Sequence, residues 1–420
     1  MSTNPEGARV GDSYNPFVSP HKDDPYPFYA RARRSEPVFY SPVLDLWVVT
    51  RFEDVQRIAR NTADFSSHGA LRGLELCPAA ARVAAEGYPI EGRIINDDPP
   101  VHTRLRAFVN QVLDLRRTAA HEPRIRAIAG ELVDGFAGDG SADLVSRFAK
   151  PMPLLVLSPI LGLPLDDLPQ IRRWIDDAVA LVTRPMPEEE QVACARSRAA
   201  YQHHIIELVR ARRRERRNDL VSALIDVQIQ GEPPLSDVEI MNLVISLIDA
   251  AGETTAHLLG TAVWLLLRDG EAWRSILRDP AGIPAAVEEA LRVEPPVNGL
   301  PRVCKRDVEV GGVRIPAGAR VYLVYASANH DEERFEAPEQ FCLARKAGER
   351  HMSFGSGIHH CPGAALARAQ ARIAIEVLRE RLPDMRLAGE GPPSFLPAFL
   401  VRGLTRLDVA WGPPPRRPDA

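Results

Sequence analysis

Cysteine is scarce in this 420-residue chain, and charge is nearly balanced. The five cysteines, Cys77, Cys194, Cys304, Cys342 and Cys361, form no C-x-x-C pair and follow no regular spacing. An odd, scattered set argues against a disulfide framework and against a zinc knuckle. Lysine and arginine number 52 against 56 acidic residues, a net charge of -4, which argues against general affinity for nucleic acid or an anionic membrane. The first twenty residues lack a basic n-region and an apolar core, so no signal peptide is expected. No stretch approaches the roughly 20 apolar residues of a membrane-spanning helix. Internal repeats and long Gly/Ser linkers are missing too. These absences leave a cytoplasmic protein with one domain over residues 1–420, a flexible leader over 1–20 and a flexible tail over 413–420.

What is present is mostly helix. Pro37 to Thr50, PVFYSPVLDLWVVT, alternates and is rich in β-branched and aromatic residues, so it reads as two short strands. From about Phe52 to Gly231 the pattern is helical, broken by Pro and Gly. Val308 to Asp331 reads as a second small sheet, and the chain after Pro383 as loops and short strands. The fold class is mainly α with small β-sheets (α+β), not an alternating βαβ architecture. Ser236 and Glu239 make a capping box, after which helix-compatible residues continue to about Gly270. Roughly 34 residues give about 50 Å of helix. It is apolar nearly all round and is expected to cross the protein centre.

The middle of that helix breaks its own rule. AAGETTAH, Ala250 to His257, places Glu253 where burial without a partner costs several kcal/mol. Gly252 costs about 1 kcal/mol relative to Ala in a helix interior. Thr254 and Thr255 can bond carbonyls of the preceding turn and bend the helix. Small residues, an acid and a hydroxyl describe a helix that lets something approach its backbone and sets a proton source beside it. The alternative is a Glu that snorkels to solvent at a helix–helix gap. Farther on, Glu289 and Arg292 are three apart and meet on one helix face, which by itself says little.

Near the C-terminus, HMSFGSGIHHCPGAALAR (His351 to Arg368) sets one thiol, Cys361, before a helical run. Pro362 suits the first helical position. Amides at a helix N-terminus stabilise a thiolate, and Gly355, Gly357 and Gly363 let the backbone fold tightly around it. A buried structural cysteine is the plain alternative. A lone thiolate does not suit zinc, and a Cys–His pair of neighbours seldom aligns for catalysis. A heme iron uses a single axial thiolate.

FGSGIHHCPGAALAR resembles the cysteine loop of the cytochrome P-450 family, F-x-x-G-x-H-x-C-x-G, with Phe354, Gly357, His359, Cys361 and Gly363 in place. Glu289-x-x-Arg292 is similar to its E-x-x-R pair, Phe335 to Arg345 to its meander, and Asp97 to Arg106 to its H-x-x-x-R segment. The resemblance runs from about Asp24 to Trp411. It implies the cytochrome P-450 fold and a soluble bacterial heme-thiolate monooxygenase acting on an apolar small molecule, in secondary metabolism. It also implies heme b (iron protoporphyrin IX) with Cys361 as the axial metal ligand, O2 as co-substrate, and electrons from NAD(P)H through a separate ferredoxin or flavodoxin and reductase. A peroxide-driven peroxygenase and a non-catalytic heme-thiolate binding protein are the competing readings. Retention of Glu253 and Thr254 speaks against both.

By the same resemblance His102, Arg106, Arg302 and His359 pair with the heme propionates. Phe354 shields the sulfur, and Gly355, Gly363 and Ala251 border the cofactor. Thr254 hydrogen-bonds bound dioxygen, and Glu253 feeds it protons. Glu289 and Arg292 become a structural pair tied to the meander through Arg345. One departure stands out: the family has glycine where this chain has Ala251, with Gly252 displaced by one. Pocket walls are expected from Leu71, Leu247, Ala250, Val297, Asn298, Leu300, Phe395 and Leu396, with Asn298 as polar anchor. Arg104, Arg116 and Arg117 are candidates for docking an acidic ferredoxin. The basic run Arg210 to Asp219 reads as a solvated helix end. No nucleic acid or membrane partner is expected, and the protein is read as a monomer.

Overall fold

The alternating segment near the N-terminus pairs with itself and then with strands from far along the chain. In this computed structural model, which describes residues 9–71, 76–90, 92–113, 115–183, 186–268, 270–345, 350–389 and 391–412, β1 (Val38–Ser41) and β2 (Leu46–Val49) form a hairpin. They continue into a five-stranded sheet with β3 (Phe65–Ser66), β4 (Gly299–Cys304) and β7 (Arg320–Val324), in the order β1-β2-β7-β4-β3. The chain from Val308 to Asp331 therefore does not make one separate sheet. Only β5 (Val308–Val310) and β6 (Val313–Ile315) pair as a ribbon of their own. β7 lies between β2 and β4, because Val321 and Leu323 face one apolar cluster while Tyr322 and Val324 face another. A strand covered on both faces belongs inside a sheet. Past it, Tyr325–Ala328 is a helical turn.

The N-terminal segment departs from its reading as a flexible leader over 1–20. Tyr14 is buried, stacks on Phe28, and shares a hydrogen bond with the Tyr29 hydroxyl at 2.9 Å. Residues 1–8 and the expected tail, 413–420, lie outside the described residues.

Seven helices build the region around Cys361: α1 (Val101–Val112), α2 (Pro151–Leu161), α3 (Leu168–Thr183), α4 (Glu188–Arg214), α5 (Asp237–Leu267), α6 (Ile283–Val293) and α7 (Ala364–Arg381). α5 starts at the expected capping box: Ser236 Oγ accepts from Glu239 N at 3.2 Å, and Glu239 Oε2 accepts from Ser236 N at 2.8 Å. Its apolar residues, Leu243, Val244, Ile248, Leu258 and Leu259 among them, sit in the largest apolar cluster between α2, α4, α6 and α7. Among the described residues no helix is long and apolar enough to cross a membrane. α7 starts two residues later than Pro362 predicts, with Gly363 at its N-cap.

Glu289 and Arg292 on α6 are 4% and 1% exposed, too deep for the solvated pair their spacing alone describes. Arg292 donates to both Glu289 oxygens, at 2.8 and 2.9 Å, and to the carbonyls of Asn329, Pro338 and Gln340. Glu289 also accepts from Arg345 Nε and from the Cys342 amide, each at 3.0 Å. Removing one partner of a buried pair leaves the other charge uncompensated, at a cost of about 3–5 kcal/mol. Arg292→Ala is expected to lower Tm by about 4–6 °C in thermal denaturation followed by circular dichroism. A fall no larger than that of an exposed ion-pair deletion would contradict the network's role.

Candidate functional site

The loop ahead of α7 delivers Cys361. Its amide donates to the Phe354 carbonyl at 2.9 Å, which closes the loop around the thiol. Gly355 and Gly357 take φ of 71° and 74°, conformations that a side chain resists. Gly357 also runs close to another element: a Cβ there would stand 2.9 Å from the Ala59 carbonyl oxygen. Burial pushes the Cys361 thiol up, while the amides of Gly363 and Ala364 and the charges of Arg106 and Arg368 pull it back. Phe354 is half-buried, its ring 4.4 Å from the Arg368 guanidinium. Arg368 in turn holds Glu288 at 2.6 Å, a partner for Glu288 that helical spacing did not offer. No disulfide joins the five cysteines, and among the described residues no cluster of three His, Cys, Asp or Glu side chains is placed for a metal ion.

Beside the thiol loop four basic side chains converge from three elements. The rings of His102 on α1 and His359 lie 4.4 Å apart. His102 Nδ1 and Nε2 and His359 Nδ1 are buried and make no hydrogen bond of ordinary geometry, although the Ile358 backbone lies near His102. His359 Nε2 meets Ser67 Oγ at 2.9 Å. Burial, then the positive charge of Arg302, holds the His359 imidazole down to about 3, and burial likewise lowers His102. Arg302, on β4, is 4% exposed and donates to the Pro301 carbonyl, and Arg106 donates to the His360 carbonyl at 2.7 Å. The nearest acid, Asp98, is engaged by Ser66, Ser67 and Lys305. Two guanidiniums and two neutral imidazoles with unused nitrogens suit a ligand that carries carboxylates. These residues fit the propionate end of a heme.

On α5 the motif opens one accessible stripe in a buried helix. Ala250 is exposed, while Leu247, Ala251 and Thr254 are half-buried. Thr254 Oγ1 donates to the Ala250 carbonyl at 2.6 Å, the back-bonding its position permits. Gly252 has its own reason. A Cβ there would lie 3.1 Å from Leu154 of α2 and 3.3 Å from Ile175 of α3, so the displaced glycine serves helix packing. Ala251 keeps the stripe side of the helix small. Glu253 does not snorkel to solvent. It accepts from Arg172 Nη2 on α3, and His257 Nε2 stands 3.2 Å from Oε1 without the alignment of a hydrogen bond. Burial works against the charge, yet His257 and Arg172 together hold the carboxyl down to about 2. At neutral pH Glu253 is thus an ionised acceptor and not the stored proton its motif first describes. His257, four residues along the same helix, was legible in the sequence. Arg172, 81 positions away, was not.

The expected pocket residues divide. Leu71, Val297, Leu300 and Leu396 are half-buried. Asn298 has its backbone bonded to Leu400 and Ala326, and its Oδ1 is buried without a hydrogen-bond partner. Phe395 is buried. It is 3% exposed, with the Arg402 guanidinium 3.6 Å from its ring and Trp264 at 6.0 Å, so aromatic and cationic packing has taken it into the core. Three charges went unread: Arg93, Arg198 and Asp249 meet next to Ala250.

The docking arginines need correction. Arg104 is held by Glu239, by Glu232 at 3.2 Å and by the Pro233 carbonyl, which fastens α1 to the start of α5. The side chains of Arg116 and Arg117 lie outside the described residues. The basic run after Arg210 is not simply solvated: Arg212 is buried against Asp219, while Arg213 meets Asp237 and Arg216 meets Asp226. Asp219 at the end of the run and Asp226 and Asp237 beyond it neutralise it.

The lowered Glu253 carboxyl sets a pH window. A depressed acid contributes stability above its ordinary pKa of 4.5 and loses it as pH falls toward about 2. Glu253→Gln is expected to unfold at lower temperature than the parent at pH 6, the gap closing between about 4.5 and 2. A gap that does not change over this range would overturn the paired state.

The family described as Cytochrome P450 matches residues 283–381, which hold the Glu289 pair and Cys361. Cytochrome P450 107B1 of Saccharopolyspora erythraea is 37% identical over 395 residues, covering 91% of this chain and 94% of that protein. Nocardicin C N-oxygenase of Nocardia uniformis subsp. tsuyamanensis is 36% identical, covering 94% and 98%. Among solved structures, cytochrome P450 CREJ in complex with (4-ethylphenyl) dihydrogen phosphate superposes with a TM-score of 0.90 at 32% identity, over 96% of this chain and 100% of that one. With sequence likeness along nearly the whole length, and the thiol loop and long central helix in one fold, the chain belongs to the cytochrome P450 family of monooxygenases.

Proposed function

We propose that this enzyme inserts one oxygen atom of O2 into a C–H bond of a small molecule whose hydrocarbon body lies along the accessible stripe of α5, with Cys361 as the heme ligand. The observation that carries this reading is the Cys361 loop next to imidazoles with three buried, unpaired nitrogens and two arginines that no acid pairs with among the described residues. Heme b held there would supply oxygen activation, which an axial thiolate favours. His102, His359, Arg106 and Arg302 would hold its propionates through hydrogen bonds, charge-assisted from the two arginines. Gly355 and Gly363 keep the thiol loop close, and Phe354 covers it. On α5 the Thr254 hydroxyl, now bonded to the Ala250 carbonyl, would be available as a hydrogen-bond donor to dioxygen, and the small side chains of Ala250 and Ala251 leave room beside it. Glu253, ionised between Arg172 and His257, accepts a proton and passes it on, as general acid–base work requires. Leu247, Val297 and Leu300 exclude water from the reacting carbon.

Electrons come from NAD(P)H through a separate ferredoxin or flavodoxin and its reductase, and the protein works in the cytoplasm. The relative named for nocardicin C oxygenation favours a role in secondary metabolism.

Two variants test the reading. Cys361→Ser is expected to abolish the thiolate signature of the reduced, carbon monoxide-bound protein while leaving its circular dichroism unchanged. Thr254→Ala is expected to keep consuming O2 with product per O2 lowered roughly tenfold or more. Turnover with hydrogen peroxide but none with reductase, ferredoxin and NADPH would reverse the monooxygenase reading.

A further inference from the structure

The accessible stripe of α5 is not wholly apolar. Asp249, next to Ala250, keeps 22% of its side chain exposed. Its Oδ2 lies 3.2 Å from Arg198 Nη1 on α4 and 3.9 Å from Arg93 Nη2 in the loop before α1. Two guanidiniums thus share one carboxylate oxygen. Asp97, the other acid near Arg93, turns Oδ1 toward His68 at 3.8 Å. Around the shared oxygen, Arg93 Nε, Arg198 Nη2, Asp249 Oδ1 and the Tyr201 hydroxyl are buried without a hydrogen-bond partner among the described residues. Arg198 is 8% exposed and Tyr201 0%, its ring stacked on Trp174 at 5.1 Å.

Single unpaired donors also occur on the fastening Arg104, so the weight lies on their number here: three donors on three residues beside one carboxylate. Each unsatisfied buried polar group costs about 1–3 kcal/mol, and an apolar substrate would not relieve it. An anion would, since the unused atoms are mostly N–H and O–H donors. Five residues of helix separate Asp249 from Thr254, about 7.5 Å along the axis and about 140° around it, so a substrate held at Asp249 reaches Thr254 by passing over the exposed Ala250 between them.

We propose that Arg93 and Arg198, with the Tyr201 hydroxyl, form an oxyanion subsite that anchors an acidic head group of the substrate, a carboxylate or a phosphate monoester. The hydrocarbon body of the substrate then reaches along α5 toward Thr254. Asp249 is a positioning residue that keeps both guanidiniums turned toward each other. The subsite rests on the monooxygenase reading above and names the substrate class for that same cavity.

The test titrates the heme-loaded protein, following the spin-state shift of its absorbance, with matched compounds. These are 4-ethylbenzoate, its methyl ester, 4-ethylphenyl phosphate, 4-ethylphenol and 4-ethylbenzylamine, and a longer pair, decanoate and methyl decanoate. At least one acid is expected to bind roughly tenfold or more tightly than its neutral partner. Arg93→Gln and Arg198→Gln are expected to erase that preference while leaving ester or phenol binding unchanged. Because Arg198 is buried, the loop variant Arg93→Gln keeps the test decisive if Arg198→Gln folds poorly. Preference for benzoate or decanoate over the phosphate assigns a carboxylate, and the reverse a phosphate. Acids that bind no better than their neutral partners, or not at all, overturn the subsite. So does an amine preference lost in Asp249→Asn, which would make Asp249 the anchor for a cation. The carbon monoxide spectrum of each protein separates the two failures: its presence without acid preference sinks only the subsite, and its absence in the parent sinks the heme-thiolate reading.

Discussion

The buried pair between Glu289 and Arg292 governs the position of the thiol. Arg292 spends its N–H groups on Glu289 and on three carbonyls between Asn329 and Gln340, while Glu289 gathers Arg345 and the Cys342 amide. The Asn329 side chain then bonds Ser353 and the Met352 amide, and Ser353 returns to the Leu291 carbonyl on α6. A segment with little regular structure is thereby clamped to α6 at both ends, and its next residues are the turn that presents Cys361. Irregular backbone can be this exact only where its polar groups are individually satisfied.

A second constraint acts on α5, which must be apolar to cross the core and yet open at one place. The helix meets both demands by concentrating its exceptions in a few residues. Gly252 lets α2 and α3 pack close, Ala250 and Ala251 leave the stripe open, and Thr254 turns its hydroxyl onto the helix's own carbonyl. Glu253 is tolerated because Arg172 and His257 reach it from two sides, so the buried charge is compensated and not merely shielded. The same helix carries Asp249 one turn earlier, where two arginines over-answer a single acid and donors are left unused. Arg172 Nη1 and His257 Nε2 are also left without a hydrogen-bond partner, so what sets Asp249 apart is that both of its partners are guanidiniums and a buried tyrosine hydroxyl is left over beside them.

Local chemistry made much of this legible in the sequence. The capping box at Ser236, the apolar run of α5, the hairpin at Val38 and the helical spacing of Glu289 and Arg292 depend on residues a few positions apart, and each took the predicted form. The thiol before a helix belongs to the same class, although Ala364 and not Pro362 is the first residue of α7. What the sequence could not determine was which distant groups would meet. Arg172 reaches Glu253, Arg104 turns inward to Glu239, Phe395 slides beneath Arg402, and β7 enters the first sheet and leaves the ribbon beside it. A charged or aromatic side chain declares its chemistry in the sequence but not its partner. The partner is decided when packing brings remote elements together and every buried charge must find an opposite one.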